Sequence, residues 1–143
     1  MATACLQRCA VGPLAPGLAL AAGAGLCAAM AGTLEQTAVL SIALAAAIAA
    51  EQAPGSTIVT DSATSDQLAD FIEKKLGCRH HRFKRGYKNV INKCKELNAE
   101  GIISPLAMET SGHGCLKENY YLDDGAYLAV KLVIAVAKAK REG

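Results

Sequence analysis

The sequence of 143 residues carries little net charge, contains no Cys-x-x-Cys pair and shows no internal repeat. A balance of +2 exerts only a weak overall pull on a polyanion, which argues against nucleic-acid binding driven by bulk charge. Six cysteines are present, yet none has zinc-finger spacing, and His80 and His81 are adjacent instead of one helical turn apart. No metal site is expected, and unpaired thiols in a reducing compartment fit best. The apolar run Ala38–Ala50 is too short to span a bilayer and has the length of a buried helix, so no membrane association is expected from it.

Charge is also absent between Arg8 and Glu35, where Ala, Gly, Leu and Pro dominate. Low acidity suits an organelle transit peptide, although Ser and Arg are scarce for one. Leu18–Ala31 also suits a signal-peptide core, and Pro13 and Pro16 weigh against a transmembrane helix. Truncation or a mispredicted exon is the remaining reading. Residues 1–35 are therefore set apart as an atypical leader, and plastid and cytoplasm both stay open as locations.

From residue 36 onward the pattern alternates, and a composition 52% hydrophobic supplies one sizeable core. Helices are expected at 36–53, 66–76, 87–98 and 123–140, with strands at 57–60, 80–84 and 106–109. Such alternation predicts a single α/β domain over 36–143, a three-layer α/β/α sandwich around a mostly parallel, mixed sheet of four strands. Charges on both faces of Arg79–Arg85 suit an edge strand with solvated flanks. The same basic run, with Phe83 and Tyr87, would alternatively serve a phosphosugar cleft or stack nucleic-acid bases.

The densest chemistry lies in Met108-Glu109-Thr110-Ser111-Gly112-His113-Gly114-Cys115-Leu116-Lys117-Glu118-Asn119. An apolar strand precedes it, and a helix opening at Asp123-Asp124-Gly125 follows, so the loop is expected where α/β proteins bind ligands. Glu109 can accept hydrogen bonds from two neighbouring hydroxyls, and its charge strengthens them. Ser111 and His113 can donate and accept, while Gly112 lets a ligand approach the backbone. That set suits a polyol. The plainer alternatives are a solvated turn, a His113 that only orients the loop, and a Lys117 that is a surface charge.

This loop resembles the sugar-binding loop of the α-D-phosphohexomutases, the phosphomannomutase/phosphoglucomutase family. There the pattern is Gly-Glu-Met-Ser-Gly-His, then Lys-Glu, then Asp-Asp-Gly. Here Glu109, Ser111, Gly112 and His113 fall in register, followed by Lys117-Glu118 and Asp123-Asp124-Gly125. Thr57–Ser65 and His80–Lys88 resemble, more weakly, the opening strand and the next strand and glycine turn of the family's third domain. The likeness looks nearest to the plant and algal branch.

The resemblance implies an isomerase of the intramolecular phosphotransferase kind, acting on glucose or mannose 1- and 6-phosphates with Mg²⁺. It implies substrate-binding roles for Glu109, Ser111, Gly112, His113, Lys117 and Tyr87, the last standing where bacterial members have a histidine. It also implies that catalysis is incomplete. No Ser-His-Asn-Pro-like loop is present to carry a phosphoserine, and no Asp-x-Asp-x-Asp-Arg loop to hold Mg²⁺. No catalytic residue is assigned, and Asp123-Asp124 is expected to cap a helix and not to bind metal. A bacterial lysine, the candidate general acid or base, is replaced at Ser62-Ala63. The expectation is a sugar-phosphate-binding fragment that needs other mutase domains for turnover, or a non-catalytic module that binds sugar phosphate or associates with mutase domains.

Overall fold

Thr57–Asp61 forms strand β1, and every residue in it is buried. Alternation sends Ile58 to one face of the sheet and Val59 to the other, and each meets a different hydrophobic cluster. A strand covered on both faces is what a parallel α/β sheet requires at its centre. The computed structural model describes residues 34–142, so the leader readings up to residue 33 fall outside the described residues.

On either side of β1 lie β2 (Arg79–Phe83) and β3 (Leu106–Met108), both parallel to it. A fourth strand, β4 (Gly114–Leu116), runs antiparallel to β3, giving the order β2-β1-β3-β4. The basic strand β2 is therefore an edge, where charged side chains discourage pairing with another chain.

Helix α1 (Leu34–Gln52) draws on alanine, the best helix former. Its small side chains allow close approach on most sides, and Ile42, Ala43, Ala46 and Ala49 are fully buried. A helix apolar all round belongs in the interior. Among the described residues no helix is long and apolar enough to cross a membrane. Helix α2 (Asp66–Asp70) starts at Ser65, whose side chain accepts from the Leu68 N–H at 3.3 Å. The expected helix to residue 76 does not stay α-helical. Phe71–Lys75 forms a π turn, with the Leu76 N–H reaching back to the Phe71 carbonyl.

Helix α3 (Tyr87–Ala99) buries Val90, Ile91, Cys94 and Leu97, a stripe at helical spacing, against Val59, Ala107 and Cys115. Helix α4 (Gly125–Glu142) sets Tyr127 and Leu128 against the core that α1 shares with Phe71 and Ile72. Helices α1, α2 and α4 thus cover one face of the sheet, and α3 covers the other. The result is a three-layer α/β/α sandwich with a mixed four-stranded sheet.

Candidate functional site

The carboxyl ends of the three parallel strands converge. Asp61 ends β1, Arg85 and Gly86 follow β2, and Glu109 follows β3. What comes after Glu109 differs from the simple strand-to-helix loop expected. The chain turns back at once, with the Glu109 N–H bonded to the His113 carbonyl and the Gly112 N–H to the Glu109 carbonyl, at 2.8 and 2.9 Å. Gly112 takes φ +94°, which its lack of a Cβ permits. Gly114 then enters β4 opposite Met108, where a Cβ would stand 2.5 Å from Met108 Cγ. The polar cluster is therefore the tip of a β-hairpin.

Glu109 is buried, and both its carboxylate oxygens have partners. Oε1 accepts from the Gly86 N–H at 2.8 Å, and Oε2 accepts from the Ser111 hydroxyl at 2.8 Å. Since each carboxylate oxygen has two acceptor positions, each oxygen has one beyond the bond named here. Ser111, donating to Glu109, keeps its lone pairs for a second hydroxyl.

His113 is more than half exposed, and its Nδ1 lies 2.8 Å from Asp123 Oδ2. Nε2 is then the nitrogen left to meet a ligand. The imidazole rests against Tyr87, with ring centroids 5.2 Å apart. Glu109, Ser111, Gly112, His113 and Tyr87 are thus brought together. Lys117 is not: its backbone N–H bonds the Pro105 carbonyl, and its Nζ donates to Asn98 Oδ1 at 2.7 Å. Both partners lie at the opposite end of β3.

Two residues read as a capping pair do different work. Asp124 caps α4, accepting from the Tyr127 N–H at 3.0 Å, and that bond holds its carboxyl below the usual carboxylate range. Asp123 instead supports the hairpin, accepting from the Gly114 N–H at 3.0 Å as well as facing His113.

The basic strand is largely occupied with its own neighbours. Arg82 pairs with Asp66 at 2.7 Å, and His80 Nε2 meets the Thr60 hydroxyl at 2.8 Å. Burial lowers the pKa of His80, and the nearby Arg82 charge adds to the effect. Lys84 and Lys93 each place Nζ 5.8 Å from the centre of the Phe83 ring. Cys115, although within the motif, faces the α3 core and is buried, as are Cys78 and Cys94. Among the described residues no group of three or more His, Cys, Asp or Glu side chains is placed to hold a metal ion. The Mg²⁺ that the resemblance implies finds no ligand set among the described residues.

Residues 35–142 match the family profile described as phosphoglucomutase/phosphomannomutase, alpha/beta/alpha domain III. The chain belongs to this family. Its sheet, layers and helices are those of an α/β/α domain III, and the match does not distinguish a plant or algal branch. A comparison with curated proteins gave no significant match.

Asp61 lies one residue past the strand expected at 57–60 and closes β1. It is completely buried at the end of β1, and its carboxylate reaches across to Thr110 of the hairpin.

Proposed function

We propose that this chain is the sugar-phosphate-binding domain of a phosphohexomutase, with the hairpin tip holding hydroxyls of glucose or mannose 1- or 6-phosphate. The observation that carries this reading is the buried Glu109 carboxylate, bonded to Ser111 and to the Gly86 N–H, next to an exposed His113. A ligand hydroxyl donates to Glu109, and a neighbouring one to Ser111 Oγ or His113 Nε2. The set is rich in acceptors, which suits adjacent hydroxyl groups. Gly112 exposes backbone for close approach, and Tyr87 adds a ring wall and a phenolic donor.

Such a clamp supplies orientation, which is a large part of phosphoryl transfer, but not the transfer itself. A donor serine and Mg²⁺ would have to come from other mutase domains, because the loops that carry them do not occur in this sequence. That same feature favours a second reading, a non-catalytic module that binds sugar phosphate or associates with mutase domains. The first reading, and the second where the module binds sugar phosphate, make this chain a binder of hexose phosphate.

Calorimetric titration of the full chain with glucose 1-phosphate and mannose 1-phosphate tests the proposal. Saturable binding that disappears in Glu109→Ala supports the clamp. Absence of heat with both sugars in a folded sample, shown by a cooperative melt, defeats it.

A further inference from the structure

We infer that Asp61 is the positioning residue of this site, sorting two consecutive hydroxyls, those of Thr110 and Ser111, onto different carboxylates. Thr110 Oγ1 donates to Asp61 Oδ2 at 2.7 Å, and the Thr110 N–H reaches the same oxygen at 3.4 Å. Ser111 Oγ donates to Glu109 at 2.8 Å. The second Asp61 oxygen accepts from the Thr64 hydroxyl at 3.1 Å, and Arg85 Nε stands 4.0 Å from Oδ2.

The physical reason lies in the cost of burying a carboxylate. An isolated buried charge is strongly unfavourable, so Asp61 holds its donors firmly. With Thr110 committed to Asp61, its hydroxyl is withdrawn from competition for Glu109, and Ser111 is the hydroxyl that remains beside the ligand-facing acid. The hairpin is thereby tied on both flanks. Thr110 links it to β1, and Glu109 links it to the turn before α3 through the Gly86 N–H. These attachments fix the direction of Ser111 before any ligand arrives, while Asp123 holds His113 from the other arm, and preorganisation of this kind raises affinity by reducing what binding must order. The ligand half of this inference rests on the sugar-clamp reading above; the ordering of the hairpin does not.

The test compares wild type, Thr110→Val and Thr110→Ser in the full chain. Valine keeps the shape without the hydroxyl, and serine restores the hydroxyl. Amide hydrogen exchange at Gly112 and at core positions of α3 is followed by NMR, and glucose 1-phosphate is titrated by calorimetry. Loss of one charged-acceptor hydrogen bond predicts about tenfold faster exchange at Gly112 and about tenfold weaker binding in Thr110→Val, with α3 unchanged. Thr110→Ser is expected to stay within about twofold of wild type in both readouts. Unchanged exchange at Gly112 in Thr110→Val overturns the inference. So does an equal acceleration throughout α3, which would make the contact a support for the whole fold. If wild type binds no sugar, the clamp reading and the ligand half fall together, and the exchange rates still decide whether Asp61 orders the hairpin.

Discussion

The Gly86 N–H donates to Glu109 Oε1 at 2.8 Å, joining the turn after β2 to the acid that follows β3. These residues are 23 apart in the chain, and their contact brings two strand ends to one point. Truncation by Glu109→Ala leaves that N–H and the Ser111 hydroxyl without their acceptor. Unsatisfied groups of this kind cost about 1–3 kcal/mol, so urea denaturation should show a loss in that range. Glu109→Gln keeps the size and one carbonyl acceptor. It should lie within about 1 kcal/mol of wild type and yet bind hexose phosphate less well, because the ionised acceptor is gone.

Gly114 is tied to its position by space. A Cβ there would approach Met108 Cγ to 2.5 Å and the Ala107 carbonyl oxygen to 2.9 Å. The Met108 side chain can shift, but the backbone oxygen on the neighbouring strand cannot move without opening the β3–β4 pair. Gly114→Ala should therefore destabilise by about 1–3 kcal/mol, the usual range for overpacking. Chemical denaturation measures it, and a stability equal to wild type would show that the pair adapts freely.

His80 gives the fold a pH dependence. Its folded-state pKa is lowered, first by burial and then by Arg82, so the folded protein resists protonation at a site that the unfolded chain protonates normally. The unfolded state then binds more protons as pH falls through the ordinary histidine range, about 6.5, and stability falls with it. The stabilising contribution of neutral His80 is complete above that range and is lost on acidification toward the lowered folded value. Melting temperature should drop between about pH 7 and pH 5, and His80→Gln should flatten that part of the curve. An unaltered slope in the variant would assign the dependence to other groups.

Much of this architecture was legible because local pattern and tertiary placement agree. The alanine-rich run of α1 reads as an interior helix and is one, and the charges on both faces of Arg79–Arg85 mark the edge strand. The mixed sheet of four strands is as expected, but the position of its fourth strand, β4, is not legible in the sequence for a physical reason. Its three residues, Gly114, Cys115 and Leu116, are too few to show a period, and its pairing is set by the Gly112 turn instead of by its own composition. The contact of Asp61 with Thr110 is not legible in the sequence because the two are 49 residues apart, a pairing that exists only once β1 and β3 are neighbours. The π turn at Phe71–Lys75 has no counterpart in the apolar spacing, which suits an α-helix equally well.

The antiparallel direction of β4 also separates two residues that look adjacent in the motif. Lys117 is four positions beyond His113, but β4 carries it to the opposite end of the sheet, where Nζ donates to Asn98 Oδ1 at 2.7 Å. Asn98 in turn donates to the Ser104 carbonyl at 2.6 Å, so the lysine secures the connection between α3 and β3. Its Nζ is thereby engaged away from the hairpin tip that carries Glu109. Lys117→Ala should leave hexose phosphate affinity within about twofold of wild type, while a lost exposed hydrogen bond lowers stability by about 1 kcal/mol or less. A large fall in affinity with unchanged stability would require the ligand to extend past β4, and would move the phosphate end of the site toward α3.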